Sequence, residues 1–327
     1  MFRYAGWMVL LMAWAPWAGD VAGAEVNRVT RAEYRGWTNA WVLGNGLVEA
    51  VVVPDVGRVM QFRFAGEKDG PFWENPALVG KPMPPQPWSV SHGSFGGDKT
   101  WPAPQSAWNW PPPEVFDAVA LTSRVEGETL VMTSPVSPGF GIRTERRVTL
   151  VPGSPEMRIV TRYDKVAGEP VDVGVWVITQ TADPQAVFLP VPADSKFPAG
   201  TTTLWGVPQG VLARAARMLR LTRDVAAAHK IGNDGSVILW VGAKAVLRLD
   251  IDRIPGGRYA DDGCSVEVYT NPDPVPYVEL ETLGPQRRLA VGESLSATNR
   301  YSLFPRGTGD PEAAARRVLE IGGNKAR

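Results

Sequence analysis

Tyr277 to Pro285 reads YVELETLGP, and this stretch sets two carboxylates on one face of an extended strand. Successive side chains of a β-strand point to opposite faces, so Tyr277, Glu279 and Glu281 share one face and Val278, Leu280 and Thr282 the other. The apolar set predicts a core-facing side. The acidic set predicts two carboxyl groups about 7 Å apart at Cβ, beside an aromatic ring. Carboxylates that close raise each other's pKa, most strongly where the face is partly desolvated. Such a pair suits proton transfer at a sugar hydroxyl, or hydrogen bonding to several. The same alternation also fits a half-solvated antiparallel strand whose acids face water.

Outward from this stretch, strand patterns run through nearly the whole chain. Asn39 to Pro54 reads NAWVLGNGLVEAVVVP, two apolar runs around Gly44-Asn45-Gly46, and Asn-Gly supplies the positive φ angles of a tight hairpin turn. Arg58 to Phe64 alternates, with Met60, Phe62 and Phe64 on one face and Val59, Gln61 and Arg63 on the other. Val171 to Gln180 alternates most clearly: Val171, Val173, Val175 and Val177 against Asp172, Gly174, Trp176, Ile178 and Gln180. Further strands are predicted around Thr129–Met132, Ile142–Leu150, Met157–Tyr163, Val237–Val241, Ala245–Ile251, Ser265–Thr270 and Ser296–Phe304. Val211 to Leu221 fits helix and strand equally. Asp310-Pro311-Glu312 is an N-cap, a first-turn proline and an early acid, predicting a short helix that ends at Gly322-Gly323. The pattern is all-β, without βαβ alternation.

Composition narrows the function classes. The chain has 327 residues, and 34 basic side chains balance 34 acidic ones. That balance gives no reason to expect nucleic acid or an anionic membrane as partner. Arg3, the apolar run Gly6–Trp17 and Ala22-Gly23-Ala24 predict a secretory signal peptide over residues 1–24, with a mature chain from Glu25. The run is too short for an ordinary transmembrane helix, so no stable membrane anchor is expected and a periplasmic or secreted location is; an uncleaved N-terminal anchor is the alternative. Cys264 is the sole cysteine, which excludes an internal disulfide. With no internal repeat or linker, residues 25–327 read as one domain.

Pro82 to Asp117 is different. It reads PMPPQPWSVSHGSFGGDKTWPAPQSAWNWPPPEVFD, too rich in proline for a central strand, and long loops in compact domains are usually functional or disordered. Disorder would leave Trp88, Trp101, Trp108 and Trp110 in water. Their ring faces could stack on sugar C–H faces, with His92, Asp98, Lys99, Gln105 and Asn109 bonding hydroxyls. A loop packed over the sheets by its own aromatics, without a ligand, fits the same residues.

Four segments carry a family resemblance: NGLVEAVVVPDVGRVMQFRFAG (Asn45–Gly66), GGDKTWPAPQSAWNWPPPEVFD (Gly96–Asp117), GIRTERRVTLVPGSPEMRI (Gly141–Ile159) and YVELETLGPQRRLAVGES (Tyr277–Ser294). The chain resembles the galactose-mutarotase-like superfamily, and within it the bacterial DUF4380 family. The resemblance implies a large antiparallel β-supersandwich whose concave face binds a carbohydrate; no metal or other cofactor is expected. Aldose mutarotases carry a strand glutamate in an LET-type motif as general base on the anomeric hydroxyl, and Glu281 in Leu280-Glu281-Thr282 resembles it. They also carry a central histidine before a proline that protonates the ring oxygen. The two histidines here, His92 and His229, do not precede proline. His92-Gly93 resembles an earlier HG motif whose histidine contacts substrate; His229 reads as a surface or structural residue. A substitute acid would have to come from Lys99, Asp98 or a tyrosine.

Other chemistry has weaker signals. No GxSxG elbow, zinc-binding histidine pair, P-loop or GxGxxG unit stands in the sequence. Asp250 and Asp252 read as a solvated strand face, Asp261 and Asp262 as a turn. Arg58 and Arg162 fall on polar strand faces, as surface arginines or as partners for a sugar hydroxyl or carboxylate. Three functions remain: an epimerase or mutarotase with Glu281 as base, a non-catalytic sugar-binding protein using the same residues (Glu279, His92, Lys99, Trp101, Gln105, Trp108, Trp110 and Arg58), or an envelope-interaction protein on the same scaffold.

Overall fold

Alternation in the strands, turn residues between them and a shared apolar core assemble two stacked antiparallel sheets in the computed structural model, which describes residues 27–82, 94–117, 119–215 and 217–323. The predicted signal segment, Trp88 and His92 lie outside the described residues. The larger sheet runs edge to edge through Arg28–Tyr34, Trp37–Gly44, Val48–Val53, Arg58–Phe64, Gly97–Ala103, Val171–Ala182, Tyr277–Leu283, Val266–Thr270, His229–Asn233 and Thr202–Trp205, with Arg287–Leu289 added beside Val171–Ala182. The smaller runs through Leu212–Ala215, Met218–Leu221, Ala186–Pro190, Val237–Val241, Ala245–Ile251, Ser294–Pro305, Glu156–Lys165, Ile142–Leu150, Thr129–Val136 and Thr122–Glu126. The all-β reading holds.

The main core lies between the sheets. Val266, Val268, Val278 and Leu280 of the larger sheet pack in one cluster with Met157, Ile159, Leu247 and Leu303 of the smaller. The predicted split of the Tyr277 strand is therefore observed: Val278 and Leu280 turn inward, and Tyr277, Glu279 and Glu281 turn away from the second sheet. The turn falls at Asn45-Gly46 as expected, but Gly46 alone of the two takes a positive φ, +80°; Asn45 closes the turn with its side-chain oxygen, which accepts the Leu47 and Val48 amides at 3.1 and 3.0 Å. The Pro311–Gly323 helix is capped by Asp310, which accepts the Ala313 amide at 2.7 Å. It lays Ala314, Ala315 and Val318 on Phe188, Leu239 and Val246 of the smaller sheet.

Three readings change. Val211–Leu221, open between helix and strand, contains the hairpin Leu212–Ala215 with Met218–Leu221; Leu219 and Leu221 supply the apolar alternation that buries it in the core. Arg58–Phe64 does not alternate cleanly, because the register slips between Val51↔Gln61 and Val52↔Val59. That bulge sends Met60 to a different cluster from Phe62 and puts Val59 with Phe62. Gly97–Ala103, inside the proline-rich stretch, is a buried strand of the larger sheet and not loop. It pairs along its whole length with Val171–Ala182 but meets Arg58–Phe64 only at Val59↔Asp98. Pro102 thus falls where the strand has a laddered neighbour on one side only, which a proline tolerates.

Candidate functional site

Directly paired residues on antiparallel strands present their side chains side by side on one face. The registers therefore write out the face that carries the two glutamates. One row crosses Gly97, Gln180, Glu279, Tyr269, Lys230 and Trp205, and the next crosses Lys99, Ile178, Glu281, Glu267 and Gly232. A third holds Trp101, Trp176 and Leu283. Six strands, four of them distant in sequence from Tyr277, meet in this array.

Glu281 is enclosed within it. Its residue is 1% exposed, and its Oε2 accepts the Trp176 indole N–H at 2.7 Å and lies 2.8 Å from Lys230 Nζ. The same ammonium is 2.5 Å from Glu267 Oε2 and 4.5 Å from the Trp176 ring centre. Glu267 is wholly buried. Burial, with the Glu281 charge, holds its carboxyl well above the usual range while Lys230 pulls the other way. The two carboxylates raise the Lys230 pKa against its own burial. Gly232 makes room for this cluster: a Cβ there would stand 2.7 Å from Cys264 Sγ and 3.1 Å from Glu267 Cγ.

Glu279 is different. It remains half-buried and accepts the Gln180 amide at 2.9 Å. Burial first, then the charge of Glu281, lifts its pKa to about 7, with Lys99 and Lys230 opposing. Aromatic rings wall it: Tyr277 stacks on Trp73 at 4.7 Å between centres, and Tyr269 lies 6.4 Å from Tyr277. Burial and the Glu279 charge push the Tyr269 phenol up to about 12. A carboxyl group near neutrality among aromatic rings can both take and return a proton at physiological pH.

Lys99, Trp101 and Arg58 converge on an acid absent from the sequence reading. Asp117, in the short Glu114–Asp117 helix, accepts from Lys99 Nζ at 2.7 Å, from the Trp101 indole at 2.7 Å and from Arg58 at 3.4 Å. Arg58 is neither a surface residue nor in reach of a sugar. Its guanidinium is fully buried because Asp117 and the Gly96 carbonyl, at 3.0 Å, satisfy it inside. Burial lowers the Lys99 pKa, against the pull of Asp117, and its ammonium sits 4.0 Å from the Trp101 ring centre.

The tryptophans divide. Trp101 is buried and crossed edge-on by Trp108, Trp110 and Trp176. Its faces are spent on packing, which removes it as a stacking platform. Trp108 is half-buried and donates to the Pro102 carbonyl at 2.8 Å. Trp110 keeps 50% of its surface exposed. Gln105 is exposed in the Gln105–Ala107 turn. His92 lies outside the described residues.

Asp98 does not reach the site at all. Alternation turns it into the core, where it meets Arg146, Thr179 and Tyr301. His229 is buried on that core side too, within 3.1 Å of Thr270 Oγ1, so of its two readings the structural one describes it. Arg162 pairs with Asp164 on the smaller sheet. Asp250 and Asp252 pair with Arg248 and Arg300, and Asp261 and Asp262 form a turn. Among the described residues, no group of three or more His, Cys, Asp or Glu side chains is arranged to hold a metal.

Sequence reasoning missed Lys230, Glu267, Trp176 and Asp117. Alternation in Val266–Thr270 would have shown Glu267 opposite a core-facing set, just as it showed Glu279. Nothing local marks Lys230 or Asp117.

No protein-family model matches the sequence, and no curated protein does. Solved structures match instead. A galactose mutarotase-like protein from Lactobacillus casei aligns with a TM-score of 0.55 at 9% identity, over 81% of this chain and 100% of that one. The chain has the galactose mutarotase-like fold. A galactose mutarotase related enzyme from Lactobacillus acidophilus aligns at 0.51 and 10% identity, over 83% of this chain and 99% of its own. A galactose mutarotase-like protein from Clostridium acetobutylicum aligns at 0.51 and 8% identity, over 86% and 99%. These likenesses concern architecture alone.

The raised pKa of Glu279 has a consequence for stability. The free carboxyl titrates near 4.5 and the folded one near 7, so between those values the folded chain holds a proton that the unfolded chain has lost. Stability rises with pH only where the unfolded state binds more protons. Here the sign is reversed, and this group should make the protein progressively less stable as pH climbs from about 4.5 to about 7. Urea unfolding across that window should show the decline, and Glu279→Gln should flatten it. An unchanged slope in the variant would remove Glu279 as its source.

Proposed function

We propose that the chain is a carbohydrate-binding protein of the DUF4380 branch that takes its sugar over Glu279 and acts on it as an aldose 1-epimerase-type isomerase. One observation carries the reading: a half-buried carboxyl group poised at about 7 inside an aromatic wall on the outer face of the larger sheet. The likeness to galactose mutarotase-like structures supports a sugar as the ligand class. In this proposal Glu279, not Glu281, is the base, because Glu281 is enclosed and already bound by Lys230 and Trp176.

Glu279 removes the proton of the anomeric hydroxyl as the ring C–O bond breaks, and the ring oxygen takes a proton. Lys99 is the cation of the neighbouring row whose pKa burial lowers; being 2% exposed and held by Asp117, it serves as donor only by leaving that partner. Rotation of the open aldehyde and reclosure give the other anomer. Glu281, Glu267 and Lys230 set the charge around the base rather than touching substrate.

A second reading, sugar binding without turnover, is favoured by one fact: Lys99 is itself held by Asp117 at 2.7 Å. Anomer exchange followed by polarimetry or NMR on a panel of aldoses, with wild type, Glu279→Gln and Lys99→Met, separates the two. Exchange that Glu279→Gln leaves untouched would defeat the assignment. Binding that weakens in the variant, with no exchange in either protein, would select the second reading.

We further propose export to the periplasm, on the strength of Arg3, the apolar run and Ala22-Gly23-Ala24. N-terminal sequencing of protein from a periplasmic fraction should begin at Glu25. An intact Met1–Ala24 segment recovered with membranes would count against it.

A further inference from the structure

We infer that the natural ligand of this face is a chain of several sugar units rather than a monosaccharide. The inference rests on the sugar-binding reading and extends it. The polar and aromatic groups are not gathered around Glu279 alone. Trp205 is 67% exposed on the edge strand Thr202–Trp205 and, past a bulge after Thr203, is the register partner of Lys230, which places it in the same row as Glu279. At the other end Trp110, 50% exposed, stands 6.1 Å from Trp101 on Gly97–Ala103.

Between the Gly97 and Thr202 strands lie five strand spacings, or roughly 24 Å at about 4.8 Å each. One pyranose ring over Glu279 covers a fraction of that span and leaves both indoles untouched. Between them the face offers the half-buried Glu279 and Tyr269, paired in register. Aromatic faces at both ends, with hydrogen-bonding groups between, match a sugar chain, whose rings offer apolar C–H faces and hydroxyl edges in turn.

The test uses the full-length mature protein and malto-, cello- and galacto-oligosaccharides of one to six units, with affinity read by calorimetry and tryptophan fluorescence. Affinity should climb with chain length in at least one series. Trp205→Ala and Trp110→Ala should each cut the gain from monosaccharide to hexasaccharide by about tenfold, a typical loss for one aromatic stacking contact, and Trp205→Phe should restore much of it. Equal affinity for one and six units would overturn the inference while leaving the sugar site standing. Binding of no saccharide at all would overturn both. A Trp205→Ala variant that changes oligomeric state and not chain-length dependence would make that end a protein interface, and would also overturn it.

Discussion

Glu279→Gln should slow anomer exchange by about 10²-fold or more while the fold stays intact. Glutamine keeps the shape and one accepting oxygen but cannot take a proton. A loss of that size corresponds to about 2.7 kcal/mol of barrier, well beyond what one lost hydrogen bond to a bound sugar would give. The wild-type rate should rise through about 7, because the working form is the carboxylate and the group titrates there. Glu281→Gln offers an independent check. The charge of Glu281 is the second cause holding Glu279 up, after burial, so its removal should move the rising limb to lower pH. Circular dichroism of each variant guards against unfolding. A rate flat through neutrality, or full turnover in Glu279→Gln, would end this assignment.

Arg146→Met should cost about 3–5 kcal/mol of stability, the toll of leaving a buried charge uncompensated. Arg146 and Asp98 are both buried and form an ion pair between the sheets, and Arg146 also donates to the Asp98 carbonyl at 3.1 Å. The other Asp98 oxygen accepts Thr179 Oγ1 at 2.7 Å and the Tyr301 hydroxyl at 2.5 Å. Methionine replaces the volume and leaves the carboxylate without its cation. For a chain of this size the melting temperature should fall on the order of 10 °C, with a matching shift in the urea midpoint. Asp98→Asn combined with Arg146→Met should be milder than the sum of the singles, because the double variant buries no lone charge. A single Arg146→Met variant within about 1 kcal/mol of wild type would show that the pair contributes little. The network bears on the site as well, since Asp98 is locked into the core one residue before Lys99, which lies buried in the Glu281 row.

Much of this molecule follows from local pattern. Alternation alone turned Val278 and Leu280 inward and Tyr277, Glu279 and Glu281 outward, because a strand's side-chain period is a property of the backbone itself. The Asn45-Gly46 turn and the Asp310 cap were legible for the same reason: each is satisfied by residues two or three positions away. The Gly97–Ala103 strand was not legible, since its prolines argued for loop and only its long pairing with Val171–Ala182 makes it a strand. The bulge at Met60 is likewise decided by the opposing Val48–Val53 strand.

The roles of the two glutamates were beyond the sequence for a deeper reason. Both are strand acids on one face, two residues apart. What separates them is who stands beside them: Lys230, from a strand some fifty residues away, and the Trp176 indole, more than a hundred away, claim Glu281, while Glu279 is half-buried and, among the described residues, bonded by the neutral Gln180 amide. A pKa is set by burial and by charges a few ångströms away. The sequence by itself determined which side chains share a face. Which of them meet a cation, which are enclosed and which keep a proton near neutral pH depends on strands brought together from across the chain, and only the tertiary structure decided it.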